Sequence, residues 1–274
     1  MRPIIQVLGD AFIYSCTFDK AFTYEQFIAE HILAYQIAGQ TQIFHQGGEI
    51  MLKAGQLILA HRNQFAKSIK IPAKNKKYEA FSVILTVERL RKFVLENDLS
   101  THNNYRGKRN LVFKPNNLLK AYFQSIMPYV DEWKKVSTKL ASMKVNECIE
   151  LLLQQQPELK SFLFDFSNPN KTDLEEFMLK NFHYNVSLEH FAKLSGRSLT
   201  SFKRDFATIF KSPPSNWLKN KRLSEAYYLL KKKNKKPQDI YLDLGFENLS
   251  HFYSFQIQVW DNTCKNLKPR IKKI

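Results

Sequence analysis

Apolar and polar positions change their rhythm along this 274-residue chain, and the changes divide it into three stretches. Up to about residue 88 the period is near two. A short apolar run at 32–37 stops at Gly39, a second at 41–44 meets Gly47-Gly48, a third fills 49–52, Gly55 interrupts, and 57–60 is apolar again. Residues 78–87 alternate and are rich in β-branched and aromatic types, which suit a pleated, half-buried surface. Short runs with glycine turn signals at this spacing predict a small β-barrel or sandwich with a hairpin at Gly47-Gly48.

From about residue 87 the period turns helical. Residues 88–95 start one helix, 104–117 are polar and predict a loop, and 118–130 and 137–156 carry apolar residues three and four apart. In the last of these, Leu140, Met143, Cys148, Leu151 and Leu152 predict one stripe, for packing on the strands or for pairing two subunits. Ser167-Asn168-Pro169-Asn170 is rich in turn formers and predicts a domain boundary. Beyond it, to about residue 255, the pattern is helical. The expected divisions are a strand domain over 1–88, a helical dimerisation or linker region over 89–166, and an all-helical domain over 171–274.

The helical domain opens with a distinctive constellation. Ser187 predicts a cap for a short helix that buries Leu188, Phe191, Ala192 and Leu194. Ser195-Gly196-Arg197 predicts a tight turn, with Gly196 at positive φ. Ser198 caps a second helix whose Leu199, Phe202, Phe206 and Ile209 point inward. Thr200, Ser201, Lys203 and Arg204 are then left outward, and Arg197 beside them is expected to contact DNA with them. Such a helix can enter a major groove, where Lys and Arg read guanine edges and Ser and Thr contact bases more loosely. A plain helical hairpin with a solvated basic face fits the same pattern.

Charge points to an anionic partner. The chain carries a formal +17; residues 171–274 hold 20 Lys and Arg against 10 Asp and Glu, and the first 170 residues hold 22 against 15, so the helical domain is about twice as basic per residue. That field attracts polyanions, whether nucleic acid or an anionic membrane. With 44% hydrophobic residues and 22 phenylalanines, a core dominated by buried aromatics is expected. Cys16, Cys148 and Cys264 lie far apart with no CxxC and read as inert reduced thiols. No secretory signal pattern and no apolar stretch long enough to span a bilayer is evident, so a cytoplasmic protein is expected.

The segment after the first helix pair narrows the reading. Pro214 to Trp217 and Arg222-Leu223-Ser224-Glu225-Ala226-Tyr227-Tyr228-Leu229-Leu230 are followed by Asp239-Ile240, Gly245-Phe246 and Ser250-His251-Phe252. Over about residues 172–254 this resembles the AraC family of bacterial transcription regulators. The resemblance implies two helix-turn-helix units joined by one long helix and reading two successive major grooves of double-stranded DNA. By position it assigns base contacts to Thr200, Lys203 and Arg204, with Ser201 nearby, and to Leu249, Ser250, His251 and Ser254. Ser254 stands where the family often has Arg, which implies weak second-unit readout. Lys211 replaces the family's helix-ending glycine, Arg222 reads as structural, and Lys231-Lys232-Lys233 and Lys235-Lys236 form a basic run that suits phosphate contact or a solvated loop. Within the family the chain is similar to regulators of the ExsA type, through Leu199-Thr200-Ser201-Phe202-Lys203, residues 217–222, and Lys144, Glu147 and Leu151-Leu152.

The C-terminus departs from that pattern. After Phe255 the family's Phe-Lys pair, glycine stop and Ser/Thr-Pro are missing. Degenerate codons for Gln256 to Leu267, read one base out of frame, can encode Lys-Phe-Lys-Tyr-Gly-Ile-Thr-Pro-Ala-Lys-Thr and a stop. A frameshift near Ser254 or Phe255 is therefore expected to have replaced the family tail.

For the strand region the resemblance implies a cupin-like β-barrel that senses a small molecule, with helices that dimerise; the ExsA likeness implies instead that a regulatory protein docks there. The whole chain is expected to be α+β: a cupin-like barrel, a helical linker and an all-α double helix-turn-helix. A homodimeric activator that is no enzyme, needs no cofactor and binds no membrane is expected. The alternative from another class is a metal-dependent cupin enzyme tethered to DNA. Metal cupins use an HxH…E…H pattern; here His31, His45 and His61 are isolated and Glu49 has no paired histidine, so no metal is expected.

Overall fold

The computed structural model describes residues 4–8, 11–22, 27–101, 105–246, 248–250 and 252–253. They fall into two compact units, Met1–Asn168 and Pro169–Ile274. The frame-dependent tail, with Cys264, lies outside the described residues.

The first unit carries strands β1 (Ile4–Leu8), β2 (Phe12–Thr17), β3 (Ala21–Phe22), β4 (Phe27–Ile28), β5 (His31–Ala38), β6 (Gln40–His45), β7 (Gly48–Lys53), β8 (Leu57–Ala60), β9 (Gln64–Ile71), β10 (Tyr78–Leu85) and β11 (Asn110–Phe113). One sheet runs β1-β2-β10-β5-β8-β11; the other runs β3-β9-β6-β7, with β4 also on β9. The pairings are antiparallel, and β6 and β7 form the hairpin expected at Gly47-Gly48, with His45 opposite Gly48. The barrel expectation needs one correction. β1 and β11 each pair with a single neighbour at opposite ends of their sheet, so the described strands make two open sheets and not a closed barrel. β11 is a second difference: within the window expected to be a loop, Leu111 and Phe113 pack on the core while the backbone pairs Asn110 with Ala60 and Phe113 with Leu57.

Strand parity sorts the side chains of the larger sheet. One face presents Phe12, Leu33, Leu57, Leu59, Phe81, Val83 and Leu85 to a helical layer. That layer is α1 (Val87–Glu96), α2 (Asn117–Ile126), α3 (Pro128–Asp131), α4 (Thr138–Gln155) and α5 (Leu159–Leu163). Thr86, Asn116 and Ser137 cap α1, α2 and α4 by accepting the amides of Arg89, Leu119 and Leu140. The single helix expected over 118–130 is cut at Met127, because Pro128 has no amide to continue it. α4 buries Ala141, Val145, Cys148, Ile149, Leu152 and Leu153. The stripe drawn from the sequence therefore mixes two faces: Cys148 and Leu152 are core, but Met143 is 61% exposed. Burial pushes the Cys148 thiol up to about 12, which keeps it protonated and unreactive.

The second unit is helical: α6 (Leu174–Asn181), α7 (Leu188–Leu194), α8 (Leu199–Phe210), α9 (Pro214–Lys232) and α10 (Pro237–Ile240). Leu174, Met178, Phe191, Phe202 and Phe206 are buried in its first half. Leu223, Ala226, Ile240, Leu244, Phe246 and Phe252 form a separate cluster in its second. Among these, each Leu, Ile, Met or Phe contributes about 1.5–3 kcal/mol on burial. No helix among the described residues is long and apolar enough to cross a membrane.

Candidate nucleic-acid interface

α7, a turn and α8 make the first helix-turn-helix. Gly196 holds the turn at φ +71, and a Cβ there would lie 2.5 Å from the Lys171 amide nitrogen, so a side chain is excluded by both backbone and space. Ser198 caps α8, its Oγ accepting the Ser201 amide at 3.2 Å and donating to the Ser201 hydroxyl at 3.1 Å. Phe202 and Phe206 anchor the inward face. Ile209, expected inward, is 42% exposed; Phe210 takes that place, with its ring 4.3 Å from Phe206 and 4.6 Å from Trp217.

The outward face carries Thr200, Lys203 and Arg204, all exposed, with Ser201 half-buried at its edge. Thr208, not foreseen from the sequence, lies one turn further on; its hydroxyl donates to the Arg204 carbonyl at 3.1 Å. Its one signal is its spacing of four from Arg204.

Arg197 has a different place from the one expected. Its side chain is 7% exposed, with Nε on Asp205 Oδ2 at 3.1 Å and Nη1 on the carbonyls of Ser195 at 2.7 Å and Thr172 at 3.0 Å. These bonds fix α8 to the turn and to the segment before α6. The Arg197 bond, with Lys171 and Arg204 adding to it, holds the Asp205 carboxyl below its usual range.

Lys211 ends α8 in the left-handed region, at φ +51, and its amide donates to the Ala207 carbonyl. The helix-stop geometry is thus kept although the glycine is not. The next helix begins at Pro214, where the missing amide costs nothing.

In the second helix-turn-helix α10 leads to Gly245 at φ +80, and the following segment begins another helical turn in which the Phe252 amide donates to the Asn248 carbonyl. Ser250 is exposed; Leu249 is half-buried and packs on the Phe246–Phe252 cluster. His251 and Ser254 lie outside the described residues. Arg222, on α9, is half-buried beneath both helix-turn-helix units. Described members of the basic run, Lys231, Lys233, Lys235 and Lys236, lie at the surface.

The first unit holds a second candidate site. The sheet face opposite the helices lines a cavity of about 380 Å³ with residues of both sheets. Small residues on one strand parity, Ala34, Ala60, Ala80 and Ser82, leave the room, and Ile13, Ile32, Ile43, Leu52 and Ile84 make it apolar. Its polar groups converge: Thr41 Oγ1 donates to Gln36 Oε1 at 2.6 Å and lies 2.9 Å from the Tyr78 hydroxyl, while the Lys70 ammonium donates to Ser15 Oγ. Burial lowers the Lys70 pKa. These residues were not foreseen; the one available signal was the run of Ala and Ser at alternate positions.

His31 and His61, isolated in the sequence, come together with ring centroids 4.5 Å apart, beside Arg62 and Arg109. Desolvation lowers the His61 pKa to about 4 and that of His31 well below its ordinary value. Among the described residues no three His, Cys, Asp or Glu are grouped to hold a metal ion.

A family model described as the ExsA N-terminal regulatory domain matches residues 31–162, and one described as a helix-turn-helix domain matches residues 191–262. The chain is 31% identical over 115 residues to the HTH-type transcriptional regulator ExsA of Pseudomonas aeruginosa, 41% of either chain. It is 26% identical over 152 residues to the virulence regulon transcriptional activator VirF of Yersinia enterocolitica, 55% of this chain and 56% of that one. The thermoregulatory protein LcrF of Yersinia pestis gives the same figures. The chain spans about half the length of the curated relatives it matches. A solved structure of apo ToxT from Vibrio cholerae, 12% identical, aligns over 90% of this chain and 93% of that one with a TM-score of 0.43.

Proposed function

An N-terminal regulatory domain of the ExsA kind followed by an AraC-type helix-turn-helix domain makes this chain an AraC-type protein, and from that premise we propose that it activates transcription by binding double-stranded DNA at specific sequences. The observation that carries the proposal is the division of labour on α8. Its cap, its turn and Arg197 are satisfied internally, while Thr200, Lys203 and Arg204 share one exposed face. In this reading Lys203 and Arg204 donate to base edges or phosphates, and Thr200 and Ser201 add shorter contacts. Leu249 and Ser250 supply the second unit, joined by His251 and Ser254 on the family resemblance. The protein works as a cytoplasmic homodimer, and its chemistry is binding, with no catalytic step.

The test is fluorescence anisotropy with a duplex from upstream of its own operon and a random duplex. Lys203→Ala with Arg204→Ala should weaken the upstream complex by about 1–3 kcal/mol for each base-reading side chain removed, and the random complex much less. Equal weakening of both would show that the two residues touch phosphate alone.

For the gate on the N-terminal domain, the cavity between the sheets favours a small ligand over a docked regulatory protein: it is roomy, apolar and furnished with a few converging polar groups. The dye 1-anilinonaphthalene-8-sulfonate should bind the wild-type chain and lose its site in Ala80→Phe. Failure of the wild type to bind any such probe would favour the docked protein.

A further inference from the structure

The guanidinium of Arg222 sits where the two helix-turn-helix units meet. Nε donates to the Phe182 carbonyl at 2.8 Å and Nη2 to the Tyr184 carbonyl at 2.7 Å, both in the corner between α6 and α7. Nη1 donates to the Gly245 carbonyl at 3.3 Å, in the turn of the second unit. Among the described residues no carboxylate pairs with it, and burial lowers its pKa to about 10. A charge drawn out of water and held by three backbone carbonyls alone is a geometric part, because a salt bridge or a solvated lysine would serve charge better. Gly245 shows how close the approach is. A Cβ there would lie 2.6 Å from the His183 carbonyl oxygen and 3.1 Å from Arg222 Cζ.

We propose that Arg222 is the positioning residue that sets the angle and separation of the two recognition helices, and with them the spacing between DNA half-sites that the protein accepts. The proposal rests on the DNA-binding reading above. A planar fork with fixed donor directions can bind carbonyls from two units at once and transmit one relative orientation; a lysine ammonium, with its donors on a single atom and a flexible stem, cannot span them. Two recognition helices held rigidly make the second contact intramolecular, so its strength depends on the effective concentration that the strut maintains.

The test selects 30-base-pair duplexes from a random pool with the full chain, for wild type, Arg222→Lys, Gly245→Ala and, as a control that weakens only the core under the first helix-turn-helix, Met178→Ala. Wild type should enrich a two-part motif of fixed separation, and Met178→Ala the same motif. Arg222→Lys should enrich both parts with relaxed separation, or the first part alone. On the wild-type duplex its affinity should fall about tenfold or more, while a duplex carrying one part alone loses less than about twofold. Gly245→Ala, which drives a methyl group between the same partners, should relax or shift the separation as well and serves if Arg222→Lys does not fold. An Arg222→Lys protein that keeps the separation and the affinity overturns the strut and leaves the DNA reading intact. A wild type that selects a one-part motif also overturns it, and a wild type that selects nothing overturns the DNA reading along with it.

Discussion

Replacing Arg197 with alanine separates a residue that builds α8 from the residues proposed to contact DNA from it. The side chain is buried, and its Nη1 donates to the carbonyl of Ser195, a fully buried residue, at 2.7 Å. Its second carbonyl partner, Thr172, lies on the exposed side, where water can replace the missing donor. A hydrogen bond from a charged donor contributes about 1.5–3 kcal/mol net, so removing the one at Ser195 alone predicts a weakening of the α7–α8 unit by about 2 kcal/mol. That corresponds to an opening equilibrium raised about thirtyfold. The assay is amide hydrogen exchange over α8: Arg197→Ala should lose protection there by that factor, while Lys203→Ala with Arg204→Ala leaves protection unchanged. At 25 °C the Arg197 variant still populates its folded form, so its DNA affinity should change less than about threefold. An Arg197→Ala protein that keeps its protection and loses specific DNA binding as fully as the double variant would refute this role and place Arg197 on the DNA.

Three further outcomes follow from the same fold. Lys211 occupies the left-handed region at φ +51, where a Cβ is strained by about 1 kcal/mol, so Lys211→Gly should raise the melting temperature of the helical unit by a few degrees; a fall would show that lysine contacts outweigh the strain. The folded pKa values of His31 and His61 lie below the ordinary 6.5, so acidification protonates the unfolded state first. Their contribution to stability is full above about pH 6.5 and is lost as pH falls below it, for His61 through about 4 and by up to about 3 kcal/mol. Exchange protection of β8 and β9 should decline across that window, and His61→Asn should flatten the decline; a parallel decline in the variant would assign it elsewhere. Native Cys16 and Cys148 are buried and should not react with Ellman's reagent until the first unit unfolds, and rapid modification of either would contradict its burial.

Much of the fold was legible because burial imposes a period. The runs at 32–37, 41–44 and 57–60 became β5, β6 and β8, and the Ser198 cap, the Gly196 turn and the Phe202–Phe206 anchor stand as the pattern implied. What the pattern could not give was partnership across distance. Arg197 and Arg204 look alike in a string, and only the carbonyls of Thr172 and Ser195 distinguish a buried strut from an exposed side chain. β11 was missed because three apolar residues in four are too few to register a period in a polar window. His31 and His61 appeared isolated because thirty residues separate them along the chain, while β5 and β8 lie side by side in the sheet. The cavity left little more than the alternating Ala and Ser as a signal, for a related reason: Ala34, Ala60 and Ala80 matter there for the space they leave, and composition does not record empty space.

The most direct measurement of the central claim is the affinity of the full chain for its upstream duplex and for a random duplex across a salt series. Both complexes should weaken linearly in log–log form, through phosphate contacts, and the upstream duplex should be preferred by about a thousandfold or more at physiological salt. Equal affinities for the two duplexes at every salt concentration would contradict it.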